Sequence, residues 1–147
     1  MDGTSAKLRN HAWFALADAE RCRLFRWSLT ERGTERVGVH DALENTLPEQ
    51  EYARPMSQSD ITHCIEERER RFADEIVERL QRKAGEHKID HLVIFAPPRM
   101  LAWVRMAEPG VLKGHLQMVQ GDLMRLQVGQ LAEHPMIREL VEGTREF

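Results

Sequence analysis

The sequence predicts an α/β fold, a single layered domain in which helices flank a mixed sheet, and three observations carry that expectation. The first third of the chain alternates strand-like runs with turn residues. A long stretch of helical periodicity follows. After it, Leu92-Val-Ile-Phe-Ala96 is apolar at every position, as a strand is when helices cover both of its faces. A chain of 147 residues has the length of one domain with a proper core.

Taken in order, Ala12-Trp-Phe-Ala-Leu-Ala17 is a continuous apolar run, and Arg21-Cys-Arg-Leu-Phe-Arg-Trp-Ser28 mixes polar, apolar and aromatic residues. Asp18-Ala-Glu20 between them suits a tight connection, so the two runs form a predicted hairpin. Glu35-Arg-Val-Gly-Val-His-Asp-Ala-Leu43 alternates as a third strand, entered through Arg32-Gly-Thr34, and the three strands are expected to be antiparallel. Residues 44–59 contain Pro48, Pro55 and many polar side chains. They read as a long loop, a kind of segment that often carries function.

Ser59 and Asp60 offer an N-cap for a long helix, and Gly85 offers its stop. Ile61, Ile65, Phe72, Ile76 and Leu80 fall on one face of that helix. Elsewhere on it, Glu66 with Arg70, Glu67 with Arg71, Glu75 with Arg79 and Glu78 with Arg82 stand four apart with the acid first, the favoured order. A face that neutralises itself in this way is a solvated face, whereas a nucleic-acid-binding helix keeps its cations unpaired. Beyond the buried strand the pattern predicts a helix from Pro98 to Met106, a short helix over 109–115, a last strand over Leu116–Met124, and a final helix opened by Pro135. That final helix turns Ile137, Leu140 and Val141 to the core.

The most informative punctuation is Ala96-Pro-Pro-Arg99. A central strand needs its amides in the ladder on both sides, so Pro97 must lie just past the strand end, where it also keeps Ala96 extended. Pro98 suits the first turn of a helix, where its missing N–H has no partner in any case. Arg99 then stands in the first turn of a helix at the carboxyl end of a central strand, the place where open α/β sheets build their sites. A cation is disfavoured by the helix dipole there, so Arg99 is expected to meet a carboxylate or a phosphate, either of its own domain or of a ligand.

Composition narrows the function. Hydrophobic residues at 41% and charged residues at 31% fit a soluble globular chain. The formal charge of −3 gives no overall attraction to a phosphate backbone, so nucleic-acid binding requires a local basic patch. The first ten residues lack the apolar core of a signal peptide and no later segment is long and apolar enough to span a membrane, which leads to the expectation of a cytoplasmic protein. Cys22 and Cys64 are too few and too far apart for a disulfide framework or a zinc site. The seven histidines have no ligand spacing, so neither a metal nor a cofactor is expected. Asp18 ends the first strand, where ribonuclease H-like nucleases place a metal-binding carboxylate, but a single carboxylate is not a metal site and Asp18 equally suits a turn. Trp13, Trp27 and Trp103 are candidates for base stacking, and an exposed aromatic and methionine surface around Trp103 would favour self-association.

Residues 13–26 (WFALADAERCRLFR), 70–82 (RRFADEIVERLQR), 90–101 (DHLVIFAPPRML) and 121–126 (GDLMRL) resemble the bacterial host attachment proteins, described as required for attachment to host cells. That family is similar to the middle domain of archaeal and eukaryotic class 1 release factors and of Pelota. The resemblance implies a ribonuclease H-like arrangement and a ribosome- or RNA-associated role. In release factors a Gly-Gly-Gln loop precedes the long helix. Here the matching segment, Arg54-Pro-Met-Ser-Gln-Ser59, holds Gln58 but no glycine, which removes the backbone freedom that peptide release needs. Val128-Gly-Gln130 lies in the wrong place, after the last strand. The family's lysine before the Asp-Leu pair is Gly121 here, with Asp122 retained.

These readings lead to a non-catalytic binding module, with Arg99, Asp18, Arg54, Gln58 and Asp122 as its candidate contact residues and a protein, the ribosome or RNA as partner. The alternative is a hydrolase of nucleic acid or of a small phosphorylated compound that uses Asp18, Asp122 and Arg99 in one pocket. A homo-oligomer is a third expectation.

Overall fold

The computed structural model describes residues 11–30, 32, 34–46, 57–107 and 116–145. Five strands form one mixed sheet: β1 (His11–Ala17), β2 (Arg21–Leu29), β3 (Glu35–Glu44), β4 (Leu92–Ala96) and β5 (Leu116–Gln120), in the order β3-β2-β1-β4-β5. The first three form an antiparallel meander, and β1, β4 and β5 run parallel. This order and orientation is the ribonuclease H-like topology. Among the described residues the helices are α1 (Gln58–His87), α2 (Pro98–Ala107), α3 (Val128–Glu133) and α4 (Pro135–Arg145).

The period of two in the strands divides the core into two layers. Trp13, Ala15 and Ala17 of β1 with Leu92, Ile94 and Ala96 of β4 face α1 and α2, where they meet Phe72, Ile76, Leu80, Met100 and Val104. Ala12, Phe14 and Leu16 with Val93 and Phe95 face the other way, onto Ile137, Val141 and Leu131 of α3 and α4. All five residues of β4 are buried, and the strand has a hydrogen-bonded neighbour on each side. Its apolar run is therefore explained by burial on both faces.

Several boundaries differ from the sequence reading. The cap of α1 is Ser57, two residues before Ser59: its Oγ accepts from the Asp60 N–H at 3.2 Å and donates to the Asp60 carboxylate at 2.7 Å. Gln58 is therefore the first helical residue and does not belong to the preceding loop. Of the loop predicted over 44–59, Glu44 instead ends β3, and residues 47–56, like the short helix predicted at 109–115, lie outside the described residues. Gly85 does not stop α1. Lys88 does, in the left-handed region with φ 52°, while the Ile89 N–H closes onto the Ala84 carbonyl at 2.9 Å and the Ile89 side chain is buried. This is the hydrophobic closure that terminates helices. Ile65 shares the predicted face but is 45% exposed, because the packed part of α1 begins at Phe72. Strand β5 ends at Gln120, earlier than predicted, and Leu123 and Met124 reach the core from the turn that follows.

The left-handed Lys88 bears a steric cost that glycine would not. Lys88→Gly is expected to stabilise the fold by about 0.5–1 kcal/mol, seen as a higher urea midpoint with an unchanged slope.

Candidate functional site

The parallel strands β1, β4 and β5 all end at one edge of the sheet, and three sequence-predicted residues lie along it: Asp18 after β1, Arg99 after β4 and Asp122 after β5. The double proline makes this corner as expected. Pro97 follows the ladder, its carbonyl accepts the Leu101 N–H at 3.0 Å, and Pro98 is the first residue of α2. The backbone then continues the edge into the next strand end, with the Gly121 N–H on the Ala96 carbonyl at 3.1 Å.

The sequence-predicted charged groups on this edge are engaged by the chain itself. The Asp18 carboxylate accepts the N–H groups of Glu20 and Arg21 at 2.8 and 2.7 Å, the side-chain-to-backbone turn that short acids form. Arg99 answers its carboxylate expectation within the domain: its Nε stands 2.7 Å from Glu69 of α1, whose side chain is only 13% exposed. One residue earlier on α1, Arg68 makes a two-pronged pair with Glu20 in the β1–β2 turn, at 2.7 and 3.2 Å. That hydrogen bond holds the Glu20 carboxyl below the usual range despite the opposing effect of desolvation. Asp122 pairs at 3.7 Å with Arg125, and both are exposed. Asp18 and Asp122 share an edge but stand two strands apart, about 10 Å at ordinary sheet spacing. Among the described residues no three His, Cys, Asp or Glu side chains gather around one ion position. Gln58 stands apart at the start of α1 and is exposed, and Arg54 lies outside the described residues.

The level of Arg68 fixes where α1 stands. Because Arg68 touches the β1–β2 turn, and the helix runs back from this edge toward the start of β4, residues 58–67 project past the sheet by up to about 15 Å. Gln58, Ser59, Asp60, Thr62, His63 and Ile65 are exposed on that projection. Lower on the helix the predicted pairs occur in part. Glu67 binds both Arg70 and Arg71, at 2.6 and 3.2 Å, and its pKa is lowered to about 2, chiefly by the Arg70 hydrogen bond. Arg82 pairs with Glu78. Arg79 instead reaches Asp41 of β3, and Arg70 adds Asp74.

Other candidates resolve into structure. Gln130 caps α3, its Oε1 accepting the Gln127 N–H at 2.9 Å, so Val128-Gly-Gln130 is a helix start. Trp13 and Trp27 are buried, which removes them from base stacking, and Trp103 is partly buried against the core. Burial pushes the Cys22 thiol up to about 12, with Asp41 and Asp18 adding to it, so it is not a nucleophile.

A contact that sequence reading missed lies at the opposite edge. His40 Nε2 and His87 Nε2 are 3.0 Å apart, and Trp13 lies against both rings, with centroids at 5.0 and 5.4 Å. His40 is the extra residue of a β-bulge, since Leu24 pairs with Asp41 but Phe25 with Val39. The two histidines are 47 positions apart, and the only local trace of the contact is the irregularity in the alternation of β3.

A family model, protein required for attachment to host cells, matches residues 13–134. The chain belongs to this host attachment family. The match takes in the hairpin, α1, the Pro97-Pro98 corner and α3. No curated protein sequence matches the chain. Solved structures similar to the chain include an archaeal protein at 14% identity and TM-score 0.52, and an archaeal translation termination factor at 16% identity and TM-score 0.46. The alignments cover 95% of this chain but 38% and 40% of those proteins. The host attachment chain thus spans about two fifths of their length, and the likeness to the archaeal protein is one of fold.

Two outcomes test the edge. In a double-mutant cycle, Glu69→Gln and Arg99→Ala are expected to show a coupling of about 0.5–1 kcal/mol. The Glu20 contribution, held below about 1 kcal/mol by exposure, is present above the ordinary carboxylate pKa of 4.5 and lost as pH falls through the lowered native value. The stability gap between the native chain and Glu20→Gln should therefore be open at pH 7 and close at strongly acidic pH, in urea titrations at each pH.

Proposed function

We propose that this member of the host attachment family is a single-domain, non-catalytic, cytoplasmic binding module whose contact surface is the projecting start of α1 together with the carboxyl edge of the sheet, and whose partner is a protein. The observation that carries the reading is that the predicted contact residues of that edge, and the groups beside them, are engaged by their own chain. Asp18, Glu20, Glu69, Arg99 and Asp122 all face groups of their own chain, whereas a hydrolase aims such groups at a reacting atom. The same engagement favours protein over nucleic acid: α1 carries its cations beside carboxylates, and phosphate binding draws on unpaired ones. Among the described residues no helix is long and apolar enough to cross a membrane. The projection offers mixed polar side chains around a half-exposed Ile65, a composition that suits a protein interface. Gln58 belongs to this surface, and Arg54 is assigned to it from its place in sequence.

Capture from a lysate by the immobilised native chain, Ile65→Asp and Arg99→Ala, with ribosome sedimentation in parallel, tests the reading. A protein retained by the native chain and lost at least tenfold with Ile65→Asp is expected. Co-migration with ribosomes at low salt that disappears at high salt would replace the protein partner by RNA. Phosphoester hydrolysis abolished by Asp18→Asn or Asp122→Asn would restore the enzyme.

A further inference from the structure

The histidine contact at the amino edge of the sheet is not used by the proposed binding surface, and its geometry is that of a ligand pair. Hydrogen bonding alone accounts for a 3.0 Å separation of His40 Nε2 and His87 Nε2 when one ring donates and the other accepts. The same separation suits a shared cation. Two imidazole nitrogens held at about 2.0–2.1 Å from one ion stand about 3 Å apart when the angle at the metal is near a right angle, and about 3.3 Å apart at the tetrahedral angle. Square-planar and octahedral ions fit the observed spacing better than tetrahedral zinc.

Position supports a cation here. His87 is the last residue of the 30-residue α1, where the unpaired carbonyls give the helix its negative end. Glu86 Oε2 is 4.0 Å from His87 Nε2 and 3.5 Å from Lys83 Nζ, so rotation away from Lys83 brings a carboxylate toward the same point. Both imidazoles are exposed, which leaves access for the ion and for its water ligands. Their backbones are fixed, one by the bulge of β3 and one by the closing turn of α1, and Trp13 supports both rings. Lys83 and Arg26, the latter 5.4 Å from the centre of the Trp13 ring, oppose a cation and keep the site moderate in affinity.

We propose that His40 and His87 form a two-histidine site for a divalent transition-metal ion of the Cu²⁺ or Ni²⁺ type, completed by water and by Glu86. When both Nε2 lone pairs face the ion, each neutral ring carries its proton on Nδ1. Binding joins the last turn of α1 to β3 through the metal.

The test uses the full chain and the metal alone. Under Cu²⁺ titration at pH 7.5, the imidazole resonances of two of the seven histidines are expected to broaden before the other five. Trp13 fluorescence should be quenched with the same half-saturation. His40→Ala and His87→Ala should each raise the half-saturation at least about tenfold, since one of two protein nitrogens is lost. Glu86→Gln should raise it less, and Mg²⁺ should do nothing. Ni²⁺ calorimetry should give one site per chain. Broadening of all seven histidines together, or half-saturation unchanged in the His40→Ala/His87→Ala double variant, overturns the assignment. The variants are exposed substitutions, and thermal unfolding of each confirms the fold independently of metal.

Discussion

Strand β4 has hydrogen-bonded neighbours on both sides and apolar layers on both faces, and most of the molecule follows from that constraint. A strand enclosed on four sides cannot carry a polar side chain, so Leu92 to Ala96 are all apolar and all buried. It also cannot contain proline, so the ladder must stop before Pro97, and Pro98 then starts a helix that returns across the same face. The parallel pairing with β1 and β5 sets the ends of three strands at one edge, and with them Asp18, Arg99 and Asp122. The edge is thus a consequence of how the core is enclosed.

The charges on that edge are arranged by α1. Adjacent residues on a helix point about 100° apart, and this lets Arg68 and Glu69 serve two different elements: Arg68 takes Glu20 of the first hairpin, and Glu69 takes Arg99 of α2. An arginine in the first turn of α2 opposes the helix dipole, and the Glu69 carboxylate 2.7 Å away offsets that cost. The result is that Glu20, Glu69 and Arg99 are all paired within the chain along this edge.

Legibility in the sequence followed the range of the interactions. The hairpin, the long helix, the proline corner and α4 were readable because alternation, periodicity and proline chemistry are local. The α1 ends were misread for local reasons too: Ser57 and Ser59 are both competent caps, and Gly85 looks like a stop, but a left-handed lysine closed by the buried Ile89 outcompetes it. The acid-first spacing found the Glu67–Arg71 and Glu78–Arg82 pairs, yet Arg79 preferred Asp41, 38 positions away, a choice that only the packing of α1 on β3 creates. The partner of Arg99 was expected to be a carboxylate or a phosphate, of the domain or of a ligand, and its identity as Glu69 was not legible; the His40–His87 contact was invisible for the same reason.

These edge pairs are too exposed to hold the fold together. Exposed pairs contribute about 1 kcal/mol or less each, whereas truncating a buried Phe such as Phe72 costs about 3–5 kcal/mol. Their effect is on position. From Phe72 to Leu80 the core fixes the axis of α1, but before Phe72 the helix has no fully buried side chain among the described residues. Two pairs on neighbouring residues, reaching two different elements at the helix base, restrict both its tilt and its rotation there. In the proposed binding role, a projection held in this way would meet its partner with its backbone already ordered. Binding then does not bear the entropy of fixing ten helical residues, about 1–2 kcal/mol for each backbone. In the binding role proposed above, charge pairs that add little to stability would therefore matter to recognition, because they hold the proposed contact surface in place before a partner arrives.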